Sequence, residues 1–278
     1  MKLLIFGGSG MAGHLLVRYF KEQGKHQVFY TTRNLQDPQG LVLDVNDLTT
    51  VEKAVEIVRP NVIINAVGVL NQAADTDKIG AYHVNGFLPH RLWRAAESIN
   101  ARLIHISTDC VFLGTRGKYT EDDEPDGTSS YAITKALGEI RSKGHLTIRT
   151  SIIGPEIRPS GIGLLGWFLS QTGDVSGYRH VLWNGVTTLQ LAKVIDASLD
   201  SELSGLIHLA HPDTVSKYEL LHMFKETWNK SDIRIVPSDE PDLDRTLVST
   251  RPDVKFKLPA YPVMLRELAE WMSRYEPN

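Results

Sequence analysis

The chain has 278 residues, enough to bury a full hydrophobic core in one large α/β domain or in a domain with a smaller lobe. Its formal net charge is -3, from 30 basic and 33 acidic residues, so no general field attracts nucleic acid or an anionic membrane surface. The single cysteine, Cys110, excludes an intrachain disulfide, and no stretch approaches the roughly 18 apolar residues of a membrane span. We therefore expect a cytoplasmic protein with no nucleic-acid or membrane partner.

Short apolar runs alternate with amphipathic stretches along the first 150 residues. The runs predict buried strands, and the stretches predict helices long enough to connect them. Non-alternating strands separated by helices form a parallel sheet covered on both faces, so we predict a doubly wound, Rossmann-like α/β fold. The predicted strands are Leu3–Phe6, Val28–Thr31, Leu41–Leu43, Val62–Ala66, Leu103–Ile106 and Leu146–Ile148, and the predicted helices are Met11–Glu22, Val51–Val58, Ala81–Ile99 and Tyr131–Lys143.

After about residue 150 this rhythm changes. Glycine and proline, including Pro159 and Gly161, crowd residues 154–166, and strand and helix patterns resume with Leu206–Leu209 and Lys217–Trp228. We predict a sheet domain at residues 1–152, leaving open a return segment near 185–200. Residues 153–278 are then predicted to form mainly a smaller C-terminal α+β lobe that binds substrate.

Three glycines, Gly7, Gly10 and Gly13, follow the first strand and open the first helix. Glycines let the backbone turn tightly and approach a pyrophosphate, whose charge is favoured by the N–H groups and dipole at the helix start. An ordinary strand-to-helix turn is the alternative, but the position at the first strand favours dinucleotide binding. We therefore predict that residues 1–152 bind NAD(P), with Ser9 and Met11 of the same loop in the site.

The ends of the second and third strands carry residues predicted to contact the adenosine half of the cofactor. Thr32 and Arg33 stand where an acid would favour NAD, and an arginine can pair with a 2′-phosphate. This favours NADPH, although NADH stays open. The alternative interpretation of Arg33 is a solvated surface arginine with no role in binding. Asp44, followed by Val45, is suited either to accept a hydrogen bond from the adenine amine or to cap the next helix.

Tyr131 and Lys135 are four residues apart in a predicted helix, so they share a face with about 5–6 Å between their Cβ atoms. An ammonium group at this distance stabilises a phenolate, so we expect Lys135 to lower the pKa of Tyr131 toward neutrality. Such a tyrosine can donate a proton to a ketone oxygen as a nicotinamide delivers hydride to the carbon. The alternative is aromatic packing beside a surface lysine. Ser107, Thr108 and Asp109 favour the catalytic interpretation because they end a strand at the carboxyl edge, where such sheets bind ligands.

Together these motifs give the chain a family resemblance. It resembles the extended short-chain dehydrogenase/reductases, and most closely the dTDP-4-dehydrorhamnose reductases. The matching segments are GGSGMAG at 7–13, NAVGV at 65–69, YHVNGFLPHRL at 82–92, STDCVF at 107–112, YAITKALGE at 131–139 and RTSIIGP at 149–155. The resemblance implies NADPH-dependent reduction of the 4-keto group of a nucleotide-linked 4-keto-6-deoxy sugar, in nucleotide-sugar biosynthesis for cell-surface polysaccharide.

The resemblance also implies roles for individual residues. Thr108, Tyr131 and Lys135 would be the catalytic set, with Lys135 also holding the nicotinamide ribose. The cofactor groove would further include Asn65, Ala66, Val67, Asn85 and Ser107. The substrate would contact Thr108, Asp109, Cys110, Ile152, Gly185 and Thr188. A homodimer is left open.

Several positions depart from the family pattern. Cys110 and Ile152 stand where these reductases commonly carry aromatic residues, which suggests a wider site for a bulkier sugar, such as a UDP-linked 2-acetamido sugar. Leu15 replaces a glutamate that helps some members bind magnesium, so we predict no metal. Thr187 replaces a proline in the loop NGVTT at 184–188.

Three alternative functions differ in how well they fit the sequence. A dehydratase would carry a glutamate where Cys110 follows Asp109, so elimination is disfavoured. A sugar-nucleotide epimerase and a non-catalytic, NADP-binding regulatory subunit remain open. The complete Thr108, Tyr131 and Lys135 set favours the reductase. His208 and His211 are interpreted as a strand end, since a zinc pair would need a third ligand nearby.

Overall fold

A computed structural model describes residues 1–157 and 163–275, which excludes the predicted loop residues Pro159 and Gly161. The strands are β1 (Lys2–Phe6), β2 (Gln27–Thr32), β3 (Leu41–Val42), β4 (Val62–Asn65), β5 (Arg102–Thr108), β6 (Leu146–Thr150), β7 (Ile152–Ile153), β8 (Gly173–Tyr178), β9 (Val181–Trp183), β10 (Val186–Thr187), β11 (Gly205–Leu209), β12 (Val215–Ser216), β13 (Ile233–Ser238) and β14 (Leu243–Asp244). The α-helices are α1 (Met11–Gln23), α2 (Leu48–Val58), α3 (Asn71–Thr76), α4 (Lys78–Ala81), α5 (Leu88–Ser98), α6 (Ser130–Leu137), α7 (Leu164–Ser170), α8 (Thr188–Leu199), α9 (Lys217–Thr227) and α10 (Tyr261–Ser273).

A seven-stranded parallel sheet organises the chain, in the order β11-β6-β5-β4-β1-β2-β3. Its inner strands β4, β5 and β6 are buried on both faces, which is why their sequences lack alternation. Leu3 and Ile5 pack in the same core as α1 and α8, whereas Leu4 and Phe6 pack with α2 and α5. The predicted doubly wound α/β fold is therefore confirmed.

Strand β11 is the edge strand of this sheet and pairs in parallel with β6. The sequence placed this segment in the C-terminal lobe, but its backbone hydrogen bonds join it to the sheet of the N-terminal domain. Helix α8 precedes it and packs against α1. The division of the chain at residue 152 stays a prediction.

The remaining strands form three small sheets after residue 150: β7 with β10, β8 with β13, and β12-β9-β14. Helices α9 and α10 pack beside them and against one another. No helix within residues 1–157 and 163–275 is long and apolar enough to cross a membrane.

Two predicted helices differ from those in the structure. The predicted helix Ala81–Ile99 contains a π-helical turn at Tyr82–Phe87 between α4 and α5. The predicted helix Tyr131–Lys143 already ends at Leu137, and the next residue packs tightly on the π-helical turn, since a Cβ at Gly138 would lie 2.0 Å from the carbonyl oxygen of Asn85.

Candidate active site

The loop after β1 requires glycine at two positions. Gly7 has a φ of +87°, in the left-handed region, and a Cβ at Gly13 would lie 2.0 Å from the carbonyl oxygen of Gly7. Gly10 is the N-cap of α1, and its N–H donates to the same oxygen at 2.9 Å. Because the N-cap residue has no side chain, the positive end of α1 can be approached by an anion such as a pyrophosphate.

A cleft of about 270 Å³ opens beside this loop, where the ends of β4, β1, β2 and β3 lie side by side. Eight predicted cofactor residues line it: Gly7, Ser9, Gly10, Arg33, Asp44, Val45, Ala66 and Val67. Thr32, named with Arg33 in the sequence, and Gly68, Val69 and Val84, which lie within the matching segments, also line it. No sequence signal indicated the remaining lining residues, which are Thr31, Leu43, Asn46, Asp77 and Gly80. The lining fits an extended ligand that follows the sheet edge.

The adenosine end of the predicted site is more polar. Arg33 is exposed at the lip of the cleft. The Asp44 carboxylate accepts hydrogen bonds from the Asn46 backbone N–H at 3.0 Å and from the Asn46 Nδ2 at 2.9 Å. Asp44 does not cap α2; Asp47 does, by accepting from two backbone N–H groups of the first turn. Of the two roles considered for Asp44, only the one at the cleft fits its position.

Two buried asparagines hold the wall of the cleft. Asn65 accepts from the Val67 N–H at 3.1 Å, and its Nδ2 lies 3.1 Å from His105 Nδ1. Asn85 accepts from the Val69 N–H at 2.8 Å and donates to the Val69 carbonyl oxygen at 2.9 Å. The Asn85 Nδ2 also donates to the hydroxyl of Thr134 on α6 at 3.1 Å. Both asparagines are fully buried, so the structure places them behind the wall and not along it.

The predicted catalytic residues meet at the carboxyl edge of the sheet. Thr108 ends β5, while Tyr131 and Lys135 lie on α6 and are 9% and 4% exposed. The Lys135 Nζ donates to the carbonyl oxygen of Ile106 at 2.7 Å, which fixes α6 against β5. The Thr108 hydroxyl donates to the Asp109 carboxylate at 3.0 Å and accepts from the Cys110 N–H at 3.1 Å.

Burial dominates the electrostatics of these groups. It raises the pKa of Tyr131, the charges of Cys110 and Asp109 act in the same direction, and a hydrogen bond with Thr108 opposes them. Burial lowers the pKa of Lys135 to about 8, against the charge of Glu139. The expected lowering of the Tyr131 pKa by Lys135 is therefore not seen in the protein alone, where desolvation of the phenol has the largest effect and raises the pKa.

Ser107 points away from this group. Successive strand residues face opposite sides, so the Ser107 hydroxyl lies behind β5 and donates to Glu139 Oε1 at 2.7 Å. Glu139 also forms a bidentate pair with Arg149, with Nε–Oε1 and Nη2–Oε2 distances of 2.7 Å. Arg149 and Glu139 are 0% and 4% exposed, so this is a buried ion pair beneath the catalytic helix.

The predicted substrate residues divide into two groups. Asp109 and Cys110 form a half-buried turn after Thr108, and burial raises the pKa of the Cys110 thiol to about 12. Ile152, also half-buried, pairs with Val186 across β7 and β10.

Gly185 and Thr188 are placed differently. A Cβ at Gly185 would lie 2.0 Å from the carbonyl oxygen of Ser151, and Thr188 is buried against Gly154. Both residues therefore pack against the backbone of segment 151–154 and support it. Thr187, whose role the sequence left open, is the N-cap of α8 and accepts from the Gln190 N–H at 3.0 Å.

The sequence did not single out two cations near the Asp109 and Cys110 turn. The Arg245 Nη1 lies 3.8 Å from the Cys110 Sγ, and its Nε donates to the Phe112 carbonyl oxygen at 2.8 Å. Lys217 opens α9, and Asp109 influences its charge. The sequence could have drawn attention to Lys217, because a cation at the N-terminus of a helix interacts unfavourably with the helix dipole.

The two histidines set aside in the sequence have structural partners. His208 Nδ1 lies 3.1 Å from the Val248 carbonyl oxygen, and the His211 ring packs on Tyr261 with centroids 4.4 Å apart. Within the described part of the chain, no three His, Cys, Asp or Glu side chains cluster as they would around a metal ion.

Comparison with known proteins gives a consistent family assignment. The family model described as the RmlD substrate binding domain matches residues 1–253. A probable low-salt glycan biosynthesis reductase of Haloferax volcanii is 29% identical, covering 90% of this chain and 88% of that protein. The methionine adenosyltransferase 2 subunit beta of Rattus norvegicus is 24% identical, covering 86% of this chain and 76% of that protein. The crystal structure of dTDP-4-dehydrorhamnose reductase from Bacillus anthracis in complex with NADP superimposes with a TM-score of 0.81 at 19% identity, covering 96% of this chain and 98% of that one.

Proposed function

Because the chain belongs to the RmlD substrate-binding domain family, we propose that it is an NADPH-dependent reductase of nucleotide-linked sugars. Its reaction would reduce the 4-keto group of a 4-keto-6-deoxy sugar. One observation carries the proposal: the Thr108 hydroxyl, the Tyr131 phenol and the Lys135 ammonium converge at the sheet edge that also carries the dinucleotide cleft. The Haloferax volcanii relative, named as a glycan biosynthesis reductase, supports the same pathway class.

The residues of the cleft fit a nicotinamide dinucleotide. The approach that Gly7, Gly10 and Gly13 leave open at α1 suits a pyrophosphate. Arg33 at the lip of the cleft suits a 2′-phosphate, which favours NADPH. The rest of the cleft would accept NADH equally well. When bound, the cofactor supplies the hydride that reduces the carbonyl carbon.

The side chains around the carbonyl would complete the reaction. Tyr131 donates its proton to the oxygen, since burial keeps the phenol protonated and the developing alkoxide is the stronger base. Thr108 hydrogen-bonds the same oxygen and orients it. Lys135, protonated below a pKa of about 8, stabilises the phenolate left on Tyr131 and holds the nicotinamide ribose.

Two positions near the predicted substrate site bear on the size of the sugar. Cys110 and Ile152 occupy positions at which these reductases commonly carry larger aromatic side chains, and both side chains are half-buried. We propose that the wider pocket admits a substituent such as a 2-acetamido group, with UDP or dTDP as carrier.

A second candidate is a subunit of another enzyme, which binds the cofactor without turning it over. The similarity to a protein named as a subunit of methionine adenosyltransferase 2 favours it. The complete set of Thr108, Tyr131 and Lys135 favours the reductase over this candidate. The same three residues are also compatible with an epimerase, which would show no net oxidation of its cofactor.

We also propose that the protein forms a homodimer in the cytoplasm. Exposed apolar side chains lie on the neighbouring elements α4, the π-helical turn and α6, and would be covered by a second copy. They are Ile79, Tyr82, Phe87, Ile133 and Leu137. A reducing compartment suits a chain whose only cysteine is a free, half-buried thiol.

The test is oxidation of NADPH with a panel of enzymatically prepared dTDP- and UDP-linked 4-keto-6-deoxy sugars, with Tyr131→Phe beside the wild type. Turnover of one sugar by the wild type, lost in Tyr131→Phe while NADPH binding persists, is the expected result. NADPH binding without turnover of any member would favour the subunit, and conversion without release of oxidised cofactor would favour an epimerase.

A further inference from the structure

Lys217 occupies an unusual position for a lysine. It is the first residue of α9 and directly follows Ser216, the N-cap of a capping box that Glu219 completes. The positive end of the helix dipole disfavours a cation there, and Trp183 lies beneath it, with the Nζ 5.1 Å from the ring centroid. A residue that breaks a local preference without a structural gain is a candidate for a functional role.

The ammonium group of Lys217 makes no hydrogen bond or ion pair with the described residues 1–157 and 163–275, and lies over the face of Trp183. Burial lowers its pKa to about 8, and the carboxylate of Asp109 acts in the opposite direction. The three donors of this ammonium are thus held in a half-buried site, oriented by the Trp183 ring and available to a ligand.

Arg245 adds a second positive charge to the same place. Its guanidinium lies beside Cys110 Sγ, at 3.8 Å, and lowers the pKa of that thiol against the effect of burial. The carboxylate of Asp109 acts on both Lys217 and Cys110. Two cations therefore lie near the turn at Asp109 and Cys110, in a chain whose overall charge of -3 offers no general attraction for an anion.

The turn at Asp109 and Cys110 relates this positive charge to the chemistry. Both residues act electrostatically on Tyr131 and also on Lys217, so the turn is shared between the proton donor and the lysine. Carbon 1 of a hexose, which carries the phosphate in a nucleotide sugar, lies across the ring from carbon 4. A sugar with its 4-keto group at Tyr131 therefore directs its phosphate away from the phenol.

We propose that Lys217, with Arg245 beside it, binds the sugar-proximal phosphate of the substrate and so sets which carbonyl compounds the enzyme accepts. The proposal rests on the proposed function, because it needs a nucleotide-linked substrate. Lys217 is a specificity residue in this scheme: it contacts the substrate and takes no part in proton or hydride transfer.

The experiment measures binding without turnover, by calorimetry on protein saturated with NADP⁺ so that the cofactor cleft is filled. The probes are dTDP against thymidine and UDP against uridine, since each pair differs only in the diphosphate. The wild type is expected to bind at least one diphosphate more tightly than its nucleoside. Lys217→Gln is expected to reduce that advantage by about tenfold or more, as for loss of a hydrogen-bonded charge pair, and Lys217→Arg to retain most of it.

Lys257→Gln is the matched control, because Lys257 is an exposed lysine of the same half of the chain. It is expected to leave the diphosphate advantage unchanged, and all variants should keep the NADPH affinity of the wild type. An equal diphosphate advantage in Lys217→Gln and the wild type, or none in the wild type, overturns the proposal.

Turnover separates this proposal from the proposed function. If a sugar is found in the reductase panel, Lys217→Gln is expected to raise its KM by a similar factor and to leave kcat within about twofold. A panel without turnover would overturn the reductase assignment, whereas the calorimetric comparison would still decide on the phosphate site.

Discussion

The buried pair of Glu139 and Arg149 offers a sharp test of the structure. The two side chains are 4% and 0% exposed, and they are joined by two hydrogen bonds of 2.7 Å, with a third to Glu139 from Ser107. Glu139→Gln preserves the shape of the side chain and removes its charge. It leaves the Arg149 guanidinium buried without a counter-charge.

Removing one partner of a buried ion pair costs about 3–5 kcal/mol, because the remaining charge stays desolvated. That is a large part of the roughly 5–15 kcal/mol by which a domain is stable, so Glu139→Gln should unfold at a markedly lower denaturant concentration. The measurement is equilibrium unfolding in urea, followed by fluorescence and circular dichroism without cofactor.

Arg179 and Asp239 provide the matched control. They form the same bidentate pair, also with two hydrogen bonds of 2.7 Å, but the side chains are 51% and 58% exposed. Solvent screening makes such a pair weak, so Asp239→Asn should change the unfolding midpoint far less. Equal losses in the two variants, or a loss below about 1 kcal/mol in Glu139→Gln, would refute the reasoning that burial sets the cost.

Three further predictions concern pH and packing. Because Lys135 has a pKa of about 8, kcat/KM should fall as the pH rises through that value and the ammonium is lost; a pH-rate profile flat across pH 8 would contradict this. Hydrogen bonds from Thr250, Ser249 and the His208 N–H lower the pKa of Glu121 from 4.5 to about 2 despite its burial. The stabilisation is therefore complete above about pH 4.5 and lost as the pH falls toward 2, so urea titrations should find Glu121→Gln destabilised near neutral pH but little changed at about pH 2. Gly13→Ala should lower the melting temperature because its Cβ would meet the Gly7 oxygen at 2.0 Å, whereas Gly10→Ala, at 3.4 Å, should lower it less; equal changes would argue against the contact.

Local patterns predicted much of the fold and of the site. The glycine spacing at Gly7, Gly10 and Gly13 and the four-residue spacing of Tyr131 and Lys135 are set by short-range geometry, which a sequence displays directly. Their meeting with Thr108 was also predictable, because parallel strands present their carboxyl ends at one edge.

Other features depend on contacts that are distant in sequence. Strand β11 joins the sheet through pairing with β6, and no local pattern distinguishes such a strand from one in a separate lobe. The early end of α6 reflects the close approach of Gly138 to the backbone of Asn85, which lies 53 residues earlier in the sequence (138 − 85). Strand alternation alone could have revealed that Ser107 faces away from Thr108. By contrast, the pKa of Tyr131 depends on burial, which spacing does not reveal.

Asn85 has a consequence for how specificity can change. By bonding the Val69 backbone and the Thr134 hydroxyl, it joins the wall of the cleft to helix α6, which carries the proposed proton donor. Lys135 adds a second tie from the same helix to β5. If the protein has the proposed function, the distance between the hydride donor and the proton donor is set within the first half of the chain, and every substrate meets the same pair. A change of sugar then needs substitutions only at residues such as Ile152 and Lys217, and the reaction itself is unchanged.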